Sequence, residues 1–210
     1  GFMLDTALPT LFLRRGVTHR ASKRRKEHFF QTGEGMLDTL YNHPCVVYYT
    51  IFNEGWGQFD ADGCYARFKA YDPTRVYDTT SGWFHRKKSD VESLHIYFGP
   101  WNQIRPTKKP VVLSEFGGYC YAVKQHIFNP QKSYGYKSCK TEDEFRTALE
   151  ALYRTRILPA IGKGLCGAIY TQVSDVEDET NGLLTYDRKV KKLTPERMIP
   201  IAKELEKAVK

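Results

Sequence analysis

Two glutamates stand where a strand-like run of residues gives way to glycines. The run Cys45–Phe52 ends in Asn53 and Glu54, and the run that starts at Val111 ends in Glu115. Glycines follow both glutamates, so the backbone can turn tightly beside a ligand. Paired carboxyl groups can cleave a glycosidic bond, because one protonates the leaving oxygen while the other attacks the anomeric carbon. The plainer alternative is that each glutamate begins a solvated loop.

The elements that would position these carboxyl groups are strands of a parallel sheet. Five runs rich in β-branched and aromatic residues predict strands, and most are continuous, as in strands covered on both faces. They are Val46–Phe52, Arg75–Thr80, Leu94–Phe98, Val111–Ser114 and Leu165–Thr171. Helices or long loops separate them, which indicates an α/β fold. Because the carboxyl ends of parallel strands face the ligand crevice, Glu54 and Glu115 are expected to converge.

Helix signals alternate with the strand signals. The segment Lys23–Tyr41 is compatible with a helix, which Gly33 and Gly35 weaken. Segment 141–162 opens with a capping box and keeps an apolar face. Pro195 marks the first turn of a last helix.

Composition and charge narrow the class of protein. The 210 residues are 41% apolar and 14% aromatic, which predicts a folded domain with a core. The net charge of +8 lies at the two ends, with seven Lys or Arg and one Asp in residues 1–26, and eight against four acids in residues 187–210. The basic run 23–26 is interpreted as a solvated helix face, since no stacking aromatics are interleaved with it. We therefore expect no nucleic-acid partner, and no apolar stretch is long enough to predict a membrane span.

Cysteine usage indicates a reduced compartment. The five cysteines form no CxxC pair and are odd in number, which argues against a disulfide framework or a zinc site. Cys45 and Cys166 lie in apolar runs and are predicted to be buried. A cytoplasmic location fits best. Because the chain opens on Gly1 rather than Met, it is interpreted as part of a longer polypeptide.

Four stretches, read in order, resemble a known family. They are NHPCVVYYTIFNEGWGQFD from residue 42, DPTRVYDTTSGW from 72, PVVLSEFGGY from 110 and GAIYTQVSDVEDETNGLLTYDR from 167. Together they resemble the catalytic barrel of glycoside hydrolase family 2, which holds β-galactosidases, β-glucuronidases and β-mannosidases. The resemblance covers about residues 37–210. It implies a retaining β-glycosidase that hydrolyses terminal O-glycosidic bonds of a carbohydrate substrate. We assign no cofactor and no metal ligands from the sequence.

The resemblance assigns the central roles. Glu115 matches the nucleophile, Glu54 matches the general acid/base, and Asn53 would hydrogen-bond the sugar 2-hydroxyl. A retaining mechanism needs the two carboxyl groups about 5 to 5.5 Å apart.

Supporting residues are expected around this pair, each with a packing alternative. Tyr97 would hold the nucleophile's carboxylate or be a core aromatic, and His95 would bind a sugar hydroxyl or be a core histidine. Trp56 and Trp83 follow strand ends, where an indole can stack on a sugar or simply pack.

The eighth-strand end departs from the family pattern. Tyr170 aligns where family members often carry a Trp as a sugar platform, and Gln172 is a candidate for hydroxyl recognition. The acidic stretch 175–182 would be either a cation site or, as we favour, a solvated loop.

The fold implied by the resemblance is an incomplete (β/α)8 TIM barrel that holds strands four to eight. Residues 1–36 would be a leading loop and helix segment belonging to the barrel, and residues 37–210 its C-terminal portion. The remaining barrel strands and the β-sandwich domains of the parent chain would then be its structural partners. The alternative function is a catalytically silent carbohydrate-binding or scaffold fragment, against which the two intact glutamates argue.

Overall fold

The computed structural model describes residues 3–5 and 22–209 as an α/β structure in two compact units. The first unit comprises Gly1–His95 and Lys108–Pro110, and the second comprises Ile96–Thr107 and Val111–Lys210. Strands are β1 (Met3–Asp5), β2 (Tyr48–Phe52), β3 (Val76–Thr80), β4 (Glu92–Ile96), β5 (Val111–Gly117), β6 (Tyr119–Cys120), β7 (Lys137–Ser138) and β8 (Leu165–Thr171). Helices are α1 (Lys23–Leu40), α2 (Ala61–Tyr71), α3 (Glu142–Leu152), α4 (Leu158–Ile161) and α5 (Pro195–Val209).

The first unit is a parallel sheet in the order β1-β2-β3 covered by α1 and α2. Ser22 caps α1 by accepting a hydrogen bond from the Arg25 amide, and the basic run at its start is largely exposed, as predicted. The buried face of α1 carries Phe29, whose ring stacks on Phe52 of β2 at 5.3 Å. This aromatic core fixes β2, and therefore the position at which the following residues leave the sheet.

The second unit is built on the parallel pair β5 and β8. The predicted capping box opens α3, because Thr141 Oγ1 accepts from the Glu144 amide at 3.1 Å, while Glu144 accepts in return from the Lys140 amide. The helix continues through a π-helical turn, Tyr153–Ile157, into α4. Phe145 and Leu149 of α3 are fully buried in the core of this unit.

Several boundaries differ from the sequence prediction. Residues 1–36 were expected to be a leading loop and helix segment, but residues 3–5 form a strand, β1, which pairs with β2; residues 1–2 and 6–21 lie outside the described residues. The third predicted strand is displaced by two residues to Glu92–Ile96. The α/β class is confirmed, but the predicted incomplete (β/α)8 barrel is not: the described strands form small parallel sheets and no closed barrel.

Two predictions of buried cysteines were wrong. Cys45 and Cys166 are exposed, whereas the other three cysteines are buried, and all five are free. Cys45 precedes β2, and Cys166 lies on β8, where Ala168 and Ile169 are also exposed. Continuous apolar composition therefore did not guarantee cover on both faces of β8. Among the described helices, none is long and apolar enough to cross a membrane.

Two glycines of α1 offer a matched test of packing in the first unit. A Cβ on Gly33 would lie 2.6 Å from Phe68 Cζ of α2, whereas a Cβ on the exposed Gly35 would meet nothing within 4 Å. Alanine is favoured over glycine in a helix interior by about 0.5–1 kcal/mol. We therefore expect Gly35→Ala to raise the free energy of unfolding by about that amount, and Gly33→Ala to lower it. Urea unfolding measures both; equal effects would contradict this packing.

Candidate active site

In the first unit, Glu54 leaves the sheet directly after β2. It sits in a tight turn, Asn53–Gly55, with φ of +52°, a left-handed conformation that residues with a Cβ rarely adopt. Its backbone N–H donates to Ser81 Oγ at 3.1 Å, and the Ser81 hydroxyl donates to Asn53 Oδ1 at 3.0 Å. The buried Ser81 at the end of β3 thus holds both residues of the predicted Asn-Glu pair.

The Glu54 carboxylate contacts two further predicted site residues. Trp56 Nε1 donates to Oε2 at 3.1 Å, and His95 Nδ1 lies 3.1 Å from Oε1. The Glu54 side chain is 17% exposed, while that of His95 is 0% exposed. An imidazole nitrogen can donate to an ionised carboxylate or accept from a protonated one, so this contact is compatible with both charge states of Glu54.

A glycine makes room for the histidine. Gly82 has φ of +69°, and a Cβ there would overlap the ring of His95. At Gly82, directly after Ser81, the backbone therefore adopts a left-handed conformation and also lies in close contact with the His95 ring. His95 lies against Glu54 and is closed to solvent, and its predicted contact with a sugar hydroxyl stays a prediction.

The two predicted tryptophans pack edge to face. Their ring centroids are 6.4 Å apart with planes at 87°, and Trp56 also meets Phe84 at 5.4 Å. Trp83 is 42% exposed, whereas Trp56 is partly buried and uses its indole N–H on Glu54. Of the two, Trp83 keeps the ring surface that stacking on a sugar would need, and stacking by either stays a prediction.

In the second unit, Glu115 lies inside β5 rather than after it. β5 runs on to Gly117, and its pairing with β8 shifts between Leu113 and Phe116, where one extra residue is accommodated. Bulges of this kind redirect side chains and are frequent beside active sites. The predicted strand ended at Ser114, whereas β5 continues to Gly117, and the bulge leaves Glu115 half-buried.

The carboxylate of Glu115 has a fixed donor. The Tyr97 hydroxyl donates a short hydrogen bond to Oε2, and the same hydroxyl oxygen lies 3.2 Å from Thr171 Oγ1 at the end of β8. Burial raises the pKa of Tyr97, and the negative charge of Glu115 raises it further. The phenol therefore stays protonated in neutral solution and can donate to an ionised carboxylate.

Tyr170 and Gln172 face other partners in the second unit. The Tyr170 ring packs edge to face on Phe116 at 5.7 Å, and its hydroxyl donates to the Tyr119 carbonyl at 3.3 Å. Burial raises its pKa well above the ordinary range. Gln172 Nε2 donates to Glu179 Oε2 at 2.7 Å. Tyr170 thus occupies a packing position, and sugar contacts by either residue stay predictions.

The acidic loop 175–182 is only partly solvated, contrary to the favoured interpretation. Lys192 Nζ donates to Asp175 Oδ1 at 2.6 Å and to the Thr180 carbonyl at 2.9 Å, with both side chains almost fully buried. Burial raises the pKa of Asp175 and lowers that of Lys192, and their mutual hydrogen bond opposes both shifts. Lys192, which belongs to the basic C-terminal segment, therefore stabilises the conformation of this loop through buried polar contacts.

Comparison with solved structures identifies the fold. No protein-family model matches the sequence, and no curated protein matches it either. An FMN-binding β-glucuronidase from Faecalibacterium prausnitzii L2-6 matches with a TM-score of 0.60 and 18% identity, over 89% of this chain and 33% of that one. This chain therefore shares its fold with a part of that enzyme.

Two further solved structures agree with this fold. β-Glucuronidase 2 of Bacteroides uniformis, covalently bound to cyclophellitol-6-carboxylate aziridine, gives a TM-score of 0.58 at 16% identity, over 81% of this chain and 25% of that one. The GH2 β-galacturonidase of Eisenbergiella tayi, bound to galacturonate, gives 0.53 at 18% identity, over 88% and 38%. The predicted resemblance to glycoside hydrolase family 2 is thus confirmed in the fold, and this chain spans 25–38% of the length of these enzymes.

The structure also contains functional candidates that sequence inspection missed. Two of them contact predicted site residues: Ser81 contacts Glu54, and Thr171 contacts Tyr97. The third, Lys192, contacts Asp175 in the acidic loop 175–182. Ser81 and Thr171 could have been found, because each follows or ends a predicted strand. Lys192 had no signal, since it stands in a segment whose other basic residues are mostly solvated.

The buried ion pair gives a sharp stability test. Lys192→Met would leave the Asp175 charge buried and unpaired, which costs about 3–5 kcal/mol of unfolding free energy. Lys192→Met combined with Asp175→Asn should recover most of this loss, because a neutral pair carries no uncompensated charge. Urea unfolding of both single variants and the double variant measures the coupling; strictly additive losses would mean that the two charges do not depend on each other.

Proposed function

We propose that a polypeptide containing this chain is a retaining β-glycosidase, with Glu115 as nucleophile and Glu54 as general acid/base. The observation that carries the proposal is the hydrogen bond from the buried Tyr97 hydroxyl to Glu115 on its bulge. A carboxylate that attacks an anomeric carbon must be ionised and must keep one oriented oxygen. A permanently protonated phenol favours the ionised form and holds one oxygen in place.

Glu54 is suited to the second role by its contacts. A general acid/base must be protonated for leaving-group departure and ionised for activation of water. His95 Nδ1 can serve as acceptor in the first state and donor in the second, and Trp56 donates to the other oxygen. In this proposal His95 is a positioning residue that acts through Glu54, while Asn53 binds the sugar 2-hydroxyl.

The reaction follows in two displacements. Glu115 attacks the anomeric carbon and forms a glycosyl-enzyme, while Glu54 passes its proton to the departing oxygen. Water then attacks the same carbon while Glu54 takes a proton from that water, and the bond to Glu115 breaks to release its carboxylate, which restores the original configuration. This chemistry requires the two carboxyl groups to approach to about 5 to 5.5 Å in the working enzyme.

The solved neighbours support the substrate class. They are described as β-glucuronidases and a β-galacturonidase, and the Bacteroides uniformis enzyme is covalently bound to an aziridine. A covalent adduct is the kind of species that a double-displacement nucleophile forms. Because the chain spans only part of their length, we propose a complete (β/α)8 barrel for the working enzyme, with residues 37–210 as its C-terminal portion and 1–36 leading into it.

Leaving-group dependence separates the two glutamates. Glu115→Gln should abolish turnover of every β-glycoside, because no glycosyl-enzyme can form. Glu54→Gln should lower kcat/KM about 10²–10⁴-fold on alkyl glycosides but much less on nitrophenyl glycosides, because nitrophenolate leaves without protonation in the first displacement. A panel of nitrophenyl and methyl β-glucuronides, β-galacturonides and β-galactosides measures this, with product anomers identified by NMR.

The control variant is Glu150→Gln, since Glu150 lies on α3 and pairs with arginines on the helix surface. Wild-type binding of sugar without turnover would favour the silent carbohydrate-binding alternative. Equal losses on both kinds of leaving group in Glu54→Gln would contradict its role as general acid.

The phenol beside the nucleophile gives a further test. Tyr97→Phe keeps the ring and removes only the donor to Glu115, so we expect kcat to fall about 10- to 100-fold, the worth of a hydrogen bond to a charged group. KM should change little, because the lost bond holds the nucleophile rather than the sugar. Steady-state kinetics across pH measures both; a rise in KM with unchanged kcat would assign Tyr97 to substrate binding instead.

A further inference from the structure

An aromatic cluster in the second unit extends outward from the residue that holds Glu115. The Tyr136 ring stacks on Tyr97 with centroids 3.6 Å apart and planes at 10°. Phe98 and Tyr134 meet Tyr136 edge to face, at 5.4 and 5.8 Å. These three rings, Phe98, Tyr134 and Tyr136, are here called the ring platform. Sequence inspection singled out none of them.

The ring platform keeps apolar surface in water. Phe98 is 69% exposed and Tyr134 is 51% exposed. Single exposed aromatics are ordinary, but a contiguous exposed cluster usually marks a binding surface. Flat exposed rings stack on other rings and on the C–H faces of sugars with a gain that alkyl groups cannot match.

The platform is held rigidly. The Tyr136 amide donates to the Gly118 carbonyl at 2.9 Å. The Tyr134 amide donates to the Asp178 carbonyl at 2.7 Å, and its carbonyl accepts from the Thr180 amide at 3.0 Å. Segment 134–136 is thus hydrogen-bonded both to Gly118, which follows β5, and to the acidic loop 175–182. Ordered rings lose little freedom when a ligand arrives, which favours binding.

A second glycine gives Tyr136 its place. Gly118 has φ of +60°, and a Cβ there would overlap the Tyr136 ring. Any side chain at this position would require the Tyr136 ring to move. The glycine that follows the nucleophile strand therefore has a steric role in the platform, besides allowing the turn.

We propose that the ring platform binds the aglycone of the substrate, and that this aglycone presents a ring face that stacks on aromatic side chains. The inference rests on the proposed function, because it takes Glu115 as the point of attack. A glycoside whose anomeric carbon meets Glu115 carries its leaving group away from that carbon. Tyr136 of the platform stacks directly on Tyr97, whose hydroxyl holds Glu115. A leaving group that extends from the anomeric carbon toward the platform can therefore stack on its rings. Either an aromatic ring or a second sugar ring supplies the required face.

The experiment labels the whole chain with 4-fluorophenylalanine and follows the ¹⁹F signal of Phe98, assigned through Phe98→Leu. Titrants are the phenyl and methyl β-glucuronides, the same pair of β-galactosides, and lactose as a glycoside with a sugar aglycone. We expect a saturable shift of the Phe98 signal with a phenyl glycoside or the disaccharide, and little shift with the methyl partner. Phe128, 52% exposed and packed on Tyr186 at 5.1 Å, is the matched internal control and should not move.

Three results would overturn the proposal. They are a silent Phe98 signal with all five titrants, equal shifts with phenyl and methyl glycosides, and a Phe98 signal that depends on protein concentration, which would indicate cover by a second copy. The readout needs no turnover, so a phenyl-specific shift in a chain that hydrolyses nothing would leave the platform standing while the proposed function fails.

Kinetics supply a second arm. In an active enzyme, Phe98→Ala should lower the preference for phenyl over methyl glycosides in kcat/KM by about threefold to tenfold, the worth of one aromatic pair. Phe128→Ala should leave this ratio unchanged. An unchanged ratio in Phe98→Ala would remove Phe98 from the platform and contradict the inference.

Discussion

Parallel pairing of strands is the constraint from which the candidate chemistry follows. In one unit, the register that sets Phe52 beside Thr80 brings the turn at Glu54 next to Ser81. In the other, the pairing of Gly117 with Thr171 brings the end of β8 to the hydroxyl that holds Glu115. Because parallel strands all finish at one edge, residues distant in sequence meet there without any help from loops. The helices and cores serve mainly to keep these registers.

Each candidate carboxylate is held by donors that differ in kind. Glu115 has a phenol that burial keeps protonated, which suits a group that must remain charged. Glu54 has an indole N–H on one oxygen and an imidazole on the other, and the imidazole can reverse its role. Such asymmetry is what a pair of carboxyl groups with different tasks would need, and it comes from neighbours rather than from the glutamates themselves.

Much of this could be predicted from sequence because strand ends and caps leave local marks. The β8 bounds, the Thr141 cap and the Pro195 start all followed from residue type and spacing. Long-range geometry left no such mark. The bulge around Glu115 depends on how β5 meets β8, and Lys192 reaches Asp175 across a loop, so neither could be predicted from neighbours in the chain. Exposure of β8 likewise depends on what covers it, which composition does not record.

The bulge in β5 has an evolutionary consequence. Side chains of a strand alternate between faces, so removal or addition of one residue between Leu113 and Phe116 would turn Glu115 to the opposite side of the sheet. Substitution of a neighbouring residue changes the packing gradually, whereas an insertion or deletion there reverses the direction of the Glu115 side chain in a single step. We expect homologous chains to vary freely in the length of segment 121–132, which has no regular secondary structure, while the spacing from Val111 to Gly117 stays constant. In this strand, the number of residues is therefore constrained as strictly as the identity of Glu115.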